Sequence, residues 1–275
     1  MVGARSPSPT FDVLGLGCTA VDDLLYVEAF PQPEAKVRVR RRERQCGGLT
    51  ATALVAAARL GARCAFAGVL GDDADSCFVT GSLEREGIDL THLVRRADAR
   101  PIHSTIIVDE GRLTRTILFD LSGSVGASPE HPPEAVLRST RVLYVDHYGI
   151  EGMTRAARLA RAAGIPVVAD LERDEWPGFH DLVALIDHLI VSRNFAARLS
   201  GEAEPAAALR KLWTATREAV VVTCGEEGCW YRGAEAEDGP RHRPAFAVQA
   251  GLLALHWLVQ GYGYEIGRAS CRERV

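Results

Sequence analysis

CGGLTATALVAAARLGARCAFAGVLGDDADS, Cys46 to Ser76, carries more of the architecture than any other segment of this chain. In order it holds a glycine pair, a helix of small residues, a Leu60-Gly61 stop, a buried strand and an acidic turn at Gly71-Asp72-Asp73. Gly47 and Gly48 lack a Cβ, so a polar ligand can lie close to the main chain there. The first N–H groups of the following helix have no intrahelical partner and can donate to its oxygens. Alone, a Gly-Gly pair reads equally well as a tight turn before a core helix.

On either side, strand and helix patterns alternate, the signature of a parallel sheet covered by helices. Phe11–Gly17, Arg63–Gly71, Arg141–Asp146, Ile165–Leu171, His188–Ser192 and Ala219–Gly225 are short apolar runs of the kind that form such strands. Helices are expected over Thr50–Leu60, Ser76–Glu86, Gly152–Ala163 and Pro205–Thr216, with Gly61, Gly87 and Gly164 as stops for three of them.

Two segments break the alternation. DDLLYVEAFPQPEAKVRVRRRERQ (residues 22–45) and HSTIIVDEGRLTRTILFD (residues 103–120), the second turning at Glu110-Gly111, read as antiparallel ribbons. Inserted into a doubly wound core, they are expected to form a small β lid at the strand ends, where open α/β sheets bind ligands. The expected fold is therefore α/β, a doubly wound, mostly parallel sheet sandwiched by helices with a small antiparallel lid.

Bulk properties narrow the function. With 275 residues, 47% hydrophobic and 25% charged, the chain can bury a sizeable core. A net charge of −4 gives no general attraction to nucleic acid or to an anionic membrane. The basic run Arg38–Arg44 alternates and reads as a solvated edge strand. Seven cysteines without a C-x-x-C pair favour a reducing, cytoplasmic setting over a disulfide framework or a zinc site. The N-terminus has no apolar signal region, and the late run AGLLALHWLVQGYGY is too short and interrupted to span a bilayer. His103, His147 and His180 are far apart, form no metal-spaced cluster and read as helix-face or loop histidines.

The glycine pair, the LGARCAFAGVLGDD run, the EREGID element and VTCGEEG occur in an order and spacing that resemble the ribokinase-like (PfkB) carbohydrate kinases, from Phe11 to about Ala250. GGLTATALVAAARLGA, LVALIDHLIVS and RHRPAFAV look closest to the sulfofructose kinase and ketohexokinase branches. The resemblance implies an ATP- and magnesium-dependent transfer of the γ-phosphoryl group to a hydroxyl of a ketose or related sugar. It also implies one kinase domain over residues 11–250, and in some relatives the lid pairs with a second subunit. The apolar face of LLYVEAF would allow such a homodimer.

Site residues follow from the same resemblance. Asp22 matches the carboxylate that holds sugar hydroxyls, a suitable acceptor for a vicinal diol; with Asp23 beside it, an N-cap or turn role stays open. Thr52 stands where most relatives keep an asparagine, a departure that speaks against ribose, and it reads equally as a first-turn residue. Arg115 matches a lid arginine near the transferring phosphate or an anionic sugar group. Ser192 and Arg193 start the segment where many relatives carry an N-x-x-E magnesium motif; Phe195 occupies the acidic position here, so the metal ligands are unknown and Arg193 is assigned to the nucleotide phosphates. Thr223 and Gly225 match the strand-end T-x-G that borders the nucleotide. Asp146, Asp170 and Glu172 also end strands, as sugar or hydrated-magnesium ligands or as caps.

In these kinases a G-A-G-D motif supplies both an anion hole and the catalytic base. Residues 250–275 read AGLLALHWLVQGYGYEIGRASCRERV, without that motif. Glu265–Val275 resembles a translated sequencing adapter, so residues 251–275 are expected to be a non-native or frameshifted tail. The chain is then an inactive piece of a kinase. The alternatives are a non-catalytic sugar or nucleotide sensor on the same scaffold, and a nucleoside kinase.

Overall fold

The computed structural model describes residues 9–234 and 239–246. In chain order the elements are β1 (Phe11–Leu16), β2 (Ala20–Val27), β3 (Arg41–Gly47), α1 (Leu49–Arg59), β4 (Cys64–Phe66), β5 (Val69–Leu70), α2 (Ala74–Arg85), β6 (Val94–Arg95), β7 (Ile102–Asp109) and β8 (Thr114–Asp120). There follow α3 (Glu134–Leu137), β9 (Thr140–Val145), α4 (Ile150–Ala162), β10 (Val167–Leu171), α5 (Phe179–Val183), β11 (His188–Ser192), α6 (Arg193–Ser200), α7 (Pro205–Leu212), β12 (Ala219–Thr223), β13 (Cys229–Gly233) and β14 (Arg241–Arg243). The described residues fall into two compact units, one of residues 9–16 and 127–246 and the other of residues 17–126.

The first unit is built on strands in the order β14-β13-β12-β11-β10-β9-β1. β1, β9, β10, β11 and β12 are parallel; β13 and β14 add antiparallel to the β12 side. The parallel strands are short apolar runs because both faces are packed: Leu143, Val145, Val167, Ala169, Leu189, Val191, Val220 and Val222 are all fully buried. Helix α4 turns Met153, Ala156, Ala157 and Ala160 inward, the 3–4 spacing of one helical face. Five of the expected strands lie in this unit and differ from expectation by at most two residues at an end. The expected helix from Pro205 stops at Leu212, where Trp213 is already extended. The TATRE segment that follows is Thr-rich, and β-branched threonines lose χ1 freedom in a helix.

The second unit contains a four-stranded sheet in the order β3-β2-β7-β8. Its two ribbons, β2 with β3 and β7 with β8, are antiparallel as expected, and they join along β2 and β7, which run parallel in register from Ala20↔Ile102 to Val27↔Asp109. This long-range pairing sets which side chains share a face. Arg41–Arg44 lie on edge strand β3, as their alternation implies, whereas Arg38 precedes the strand. Central strand β2 buries Leu24, Tyr26 and Val27, so the apolar face expected to be available for a partner is used inside the protein. Phe30, at the end of that segment, is exposed, and edge strand β8 exposes a run of three apolar residues, Ile117, Leu118 and Phe119. The run Arg63–Gly71 is two strands: a Cβ at Gly68 would lie 2.4 Å from the Phe66 ring and 2.8 Å from the Gly17 carbonyl, and after this close approach β5 pairs with β6. The expected change of sequence beyond residue 250 lies outside the described residues.

Candidate active site

The residues expected to hold a sugar lie mostly where β3 runs into α1. Gly47 ends β3, Gly48 is the N-cap of α1 with φ +95°, and no side chain caps that helix. A Cβ on Gly48 would lie 2.6 Å from Thr19 Cα and 2.8 Å from Ala20 N, so main chain excludes every other residue type there. Gly47 is small for a different reason: a Cβ on it would strike the Asp22 carboxylate, which lies against this backbone. The glycine pair is thus both the entry to the helix and the floor under an acid.

Asp22 is 9% exposed and lies opposite Ser104, its register partner on β7. Burial pushes its carboxyl above the usual range, the Asp23 charge adds to this, and Ser104 and His103 oppose it. Thr52 is half-buried in the first turn of α1, its N–H donating to the Gly48 carbonyl at 2.9 Å. Arg115 shares the Asp22 face of the sheet, because Arg115 pairs with Val108 and Phe119 with Ser104. Those two rows are four residues apart, about 13 Å along the strands. Asp22, Gly47 and Gly48 are therefore brought together, and Arg115 stands apart at the other end of the face. Ser104 was not among the sequence candidates: only the β2–β7 register reveals it.

The reverse face of the same strands holds a second cluster that sequence reading missed. His103, expected on a helix face or loop, is on β7, with Nδ1 2.8 Å from Asp75 and Nε2 3.0 Å from Asp23. Arg44 donates to both Asp23 oxygens at 2.8 Å and to Asp75 at 3.3 Å.

In the first unit, β11 and β12 place Ser192 directly opposite Thr223. The Ser192 hydroxyl accepts from Phe195 N–H at 3.2 Å and so serves as the N-cap of α6. Phe195 itself is buried, edge-on to Phe179 with ring centroids 6.1 Å apart, a core residue where the magnesium motif would place an acid. Gly225 opens a 3-10 turn, Gly225–Glu227, with φ +58°. Arg193 reaches over that turn and pairs with Glu227, which holds the Glu227 carboxyl below its usual range. The strand pairing therefore unites Ser192, Arg193, Thr223 and Gly225, with Arg193 already engaged by a carboxylate.

A third group ends β9 and β10. Asp146 is fully buried and accepts from Tyr148 N–H at 2.8 Å. Burial, with the charges of Glu172 and Asp146, pushes the Asp170 carboxyl up to about 8. His147 beside them is buried and held neutral, its pKa lowered to about 3 by desolvation and by Arg173. His180 is exposed at the start of α5. Among the described residues no group of three His, Cys, Asp or Glu side chains is arranged to hold a metal ion, and no helix is long and apolar enough to cross a membrane.

Comparison with known proteins places the chain by fold and family. The chain is 24% identical over 242 residues to a 5-dehydro-2-deoxygluconokinase of Shouchella clausii, covering 80% of this chain and 72% of that protein. It is 25% identical over 252 residues to a ribokinase of Staphylococcus aureus, covering 88% and 81%. A ribokinase of Arabidopsis thaliana solved with ribose and ATP has the same fold, with a TM-score of 0.71 at 19% identity over 94% of this chain and 88% of that one. The sequence pattern of the pfkB family of carbohydrate kinases extends over residues 12–251, and the chain belongs to that family.

Proposed function

We propose that the protein is built to transfer the γ-phosphoryl group of ATP to a hydroxyl of a ketose or related sugar, with Asp22, Gly47, Gly48 and Thr52 on the sugar and Ser192, Arg193, Thr223 and Gly225 on the nucleotide. The observation that carries this reading is the Asp22 carboxylate, buried beside Ser104 over a glycine floor that no side chain can fill. Such a carboxylate accepts from two hydroxyls at once and excludes groups without donors. Ionising it in that surrounding is unfavourable, and sugar donors would repay part of that cost.

Arg115 extends a guanidinium from the same face and suits an anionic group on the sugar or the transferring phosphate. On the nucleotide side, Gly225 leaves main chain accessible and Arg193 offers positive charge once it leaves Glu227. Magnesium fits as a companion of the phosphates, held mostly by phosphate oxygens and water with one or two carboxylates, which Asp146, Asp170 and Glu172 can supply. The metal would neutralise charge on the transferring group; positioning falls to the residues named.

The proton acceptor that the family takes from G-A-G-D has no counterpart in residues 1–275, so this chain is proposed to bind substrates without turning them over. A second copy is proposed to pair along β8, whose exposed Ile117, Leu118 and Phe119 sit on an open sheet edge. The protein is proposed to act in the cytoplasm, with no nucleic-acid or membrane partner. The test is a ligand-induced thermal shift with D-fructose and adenosine, alongside an ADP-release assay. The expected result is a saturable shift with the sugar and no ADP above background; a shift with adenosine alone would favour a nucleoside kinase, and steady ADP release would overturn the inactive reading.

A further inference from the structure

Asp22 and Asp23 are adjacent on β2, as His103 and Ser104 are on β7, and adjacent residues of a strand point to opposite faces. On one face Asp22 and Ser104 are register partners. On the other, their chain neighbours Asp23 and His103 are bonded to each other at 3.0 Å, and His103 continues to Asp75 in the first turn of α2 at 2.8 Å. Arg44 of β3 braces both carboxylates. Asp22, assigned to the sugar, and its neighbour Ser104 are therefore each backed by a residue of one ion cluster that spans three strands and a helix.

We propose that His103 is a positioning residue for the sugar site: its imidazolium ties β2 and β7 to α2 and thereby fixes where Asp22 and Ser104 present their oxygens. This rests on the sugar-binding reading of Asp22. The chemistry requires the charged ring, because an imidazolium donates through both nitrogens and a neutral imidazole through only one. Deprotonation therefore breaks the link to Asp23 or to Asp75.

The groups facing His103 are Asp23 on β2, Arg44 beside it on β3, Asp75 on α2 and Asp120, its register partner on β8, with Asp22 behind the sheet. Asp75 first, then Asp23, raise its pKa above 6.5 against the cost of burial. Because the folded value is the raised one, the tie is complete at low pH and is lost as pH rises through it.

The test uses the full chain with D-fructose as probe, titrated calorimetrically between about pH 6 and pH 9, while NMR follows the His103 ring. The dissociation constant is expected to rise about threefold or more as the ring loses its proton, in step with the NMR midpoint. His103→Gln should bind weakly at every pH, and His103→Arg, which keeps the charge and several donors, should restore tight binding without the pH dependence. Binding that is flat through the ring's midpoint, or a His103→Gln variant equal to wild type, overturns the proposal. If D-fructose fails to bind the wild type at all, the sugar reading is what fails, and amide protection along β2 and β7 then tests the tie without a ligand. Protection factors at Asp22 and Ser104 that fall as His103 deprotonates support it, and unchanged ones overturn it. The wild-type pH series serves equally if a variant does not fold.

Discussion

The β3–α1 junction and the ends of β11 and β12 both use glycine to bare the main chain, yet they are built differently. At the junction the glycines are crowded by their neighbours: Gly48 lies against Thr19, Gly47 lies under the Asp22 carboxylate, and Asp22 is itself buried beside Ser104. At the strand ends Gly225 has φ +58° but nothing within 4 Å of where a Cβ would be, and the Arg193–Glu227 pair above it is exposed. The first region is fixed by packing, and the second by a turn and a pair of charges that solvent screens. A sugar is discriminated by the geometry of its hydroxyls, which a rigid pocket can read; a polyphosphate is recognised largely by charge, which adjustable side chains can follow.

Substituting the two glycines breaks this contrast most sharply. Gly48→Ala forces a Cβ into main chain at positive φ, and overpacking plus the conformational penalty should cost about 3 kcal/mol or more. Thermal unfolding would register it as a large drop in Tm or as failure to fold. An unchanged Tm would mean that α1 can shift to admit the methyl group, and that the junction is not fixed.

Asp170→Asn probes a carboxyl with two like-charged neighbours, where Asp22 has one, together with a hydroxyl and His103 that oppose it. The folded value of about 8 lies far above the ordinary 3.8, so the folded state keeps a proton that the unfolded chain releases. This group's contribution therefore falls as pH rises from about 4 to about 8. In urea unfolding at pH 5 and at pH 8, the asparagine variant should gain on the wild type at the higher pH by on the order of 2 kcal/mol. A difference that does not change with pH would contradict the assigned environment.

The smallest effect is expected at Gly225→Ala. With open space around the site only the positive φ is penalised, about 1 kcal/mol. Its Tm should stay within a few degrees of wild type. A loss as large as that of Gly48→Ala would show that the turn is packed after all.

The legible parts of the chain were those whose information is local. The apolar runs of β9–β12 and the ribbon at Glu110-Gly111 announce themselves by composition and turn residues. The break at Gly68 and the short β5–β6 pair do not, because they depend on what the backbone meets there. The site divides along the same line. Asp22, Gly47 and Gly48 were identifiable by motif and lie together. Ser104 and the His103 cluster were not, because strand β7 finds β2 only through a parallel pairing about 80 residues away in sequence. Arg115 shows the converse: its residue type pointed to an anion, but only register reveals that it stands four residues along the face from Asp22.

The central claim is that the enclosed acid at the β3–α1 junction holds the sugar. Equilibrium titration of D-fructose into wild type and Asp22→Asn, at a pH where both are folded, measures this most directly. Exchanging a charged acceptor for an amide should weaken binding at least tenfold, about 1.4 kcal/mol or more, without loss of stability, since desolvation of the carboxylate is relieved. Equal affinity in the two proteins would contradict the account.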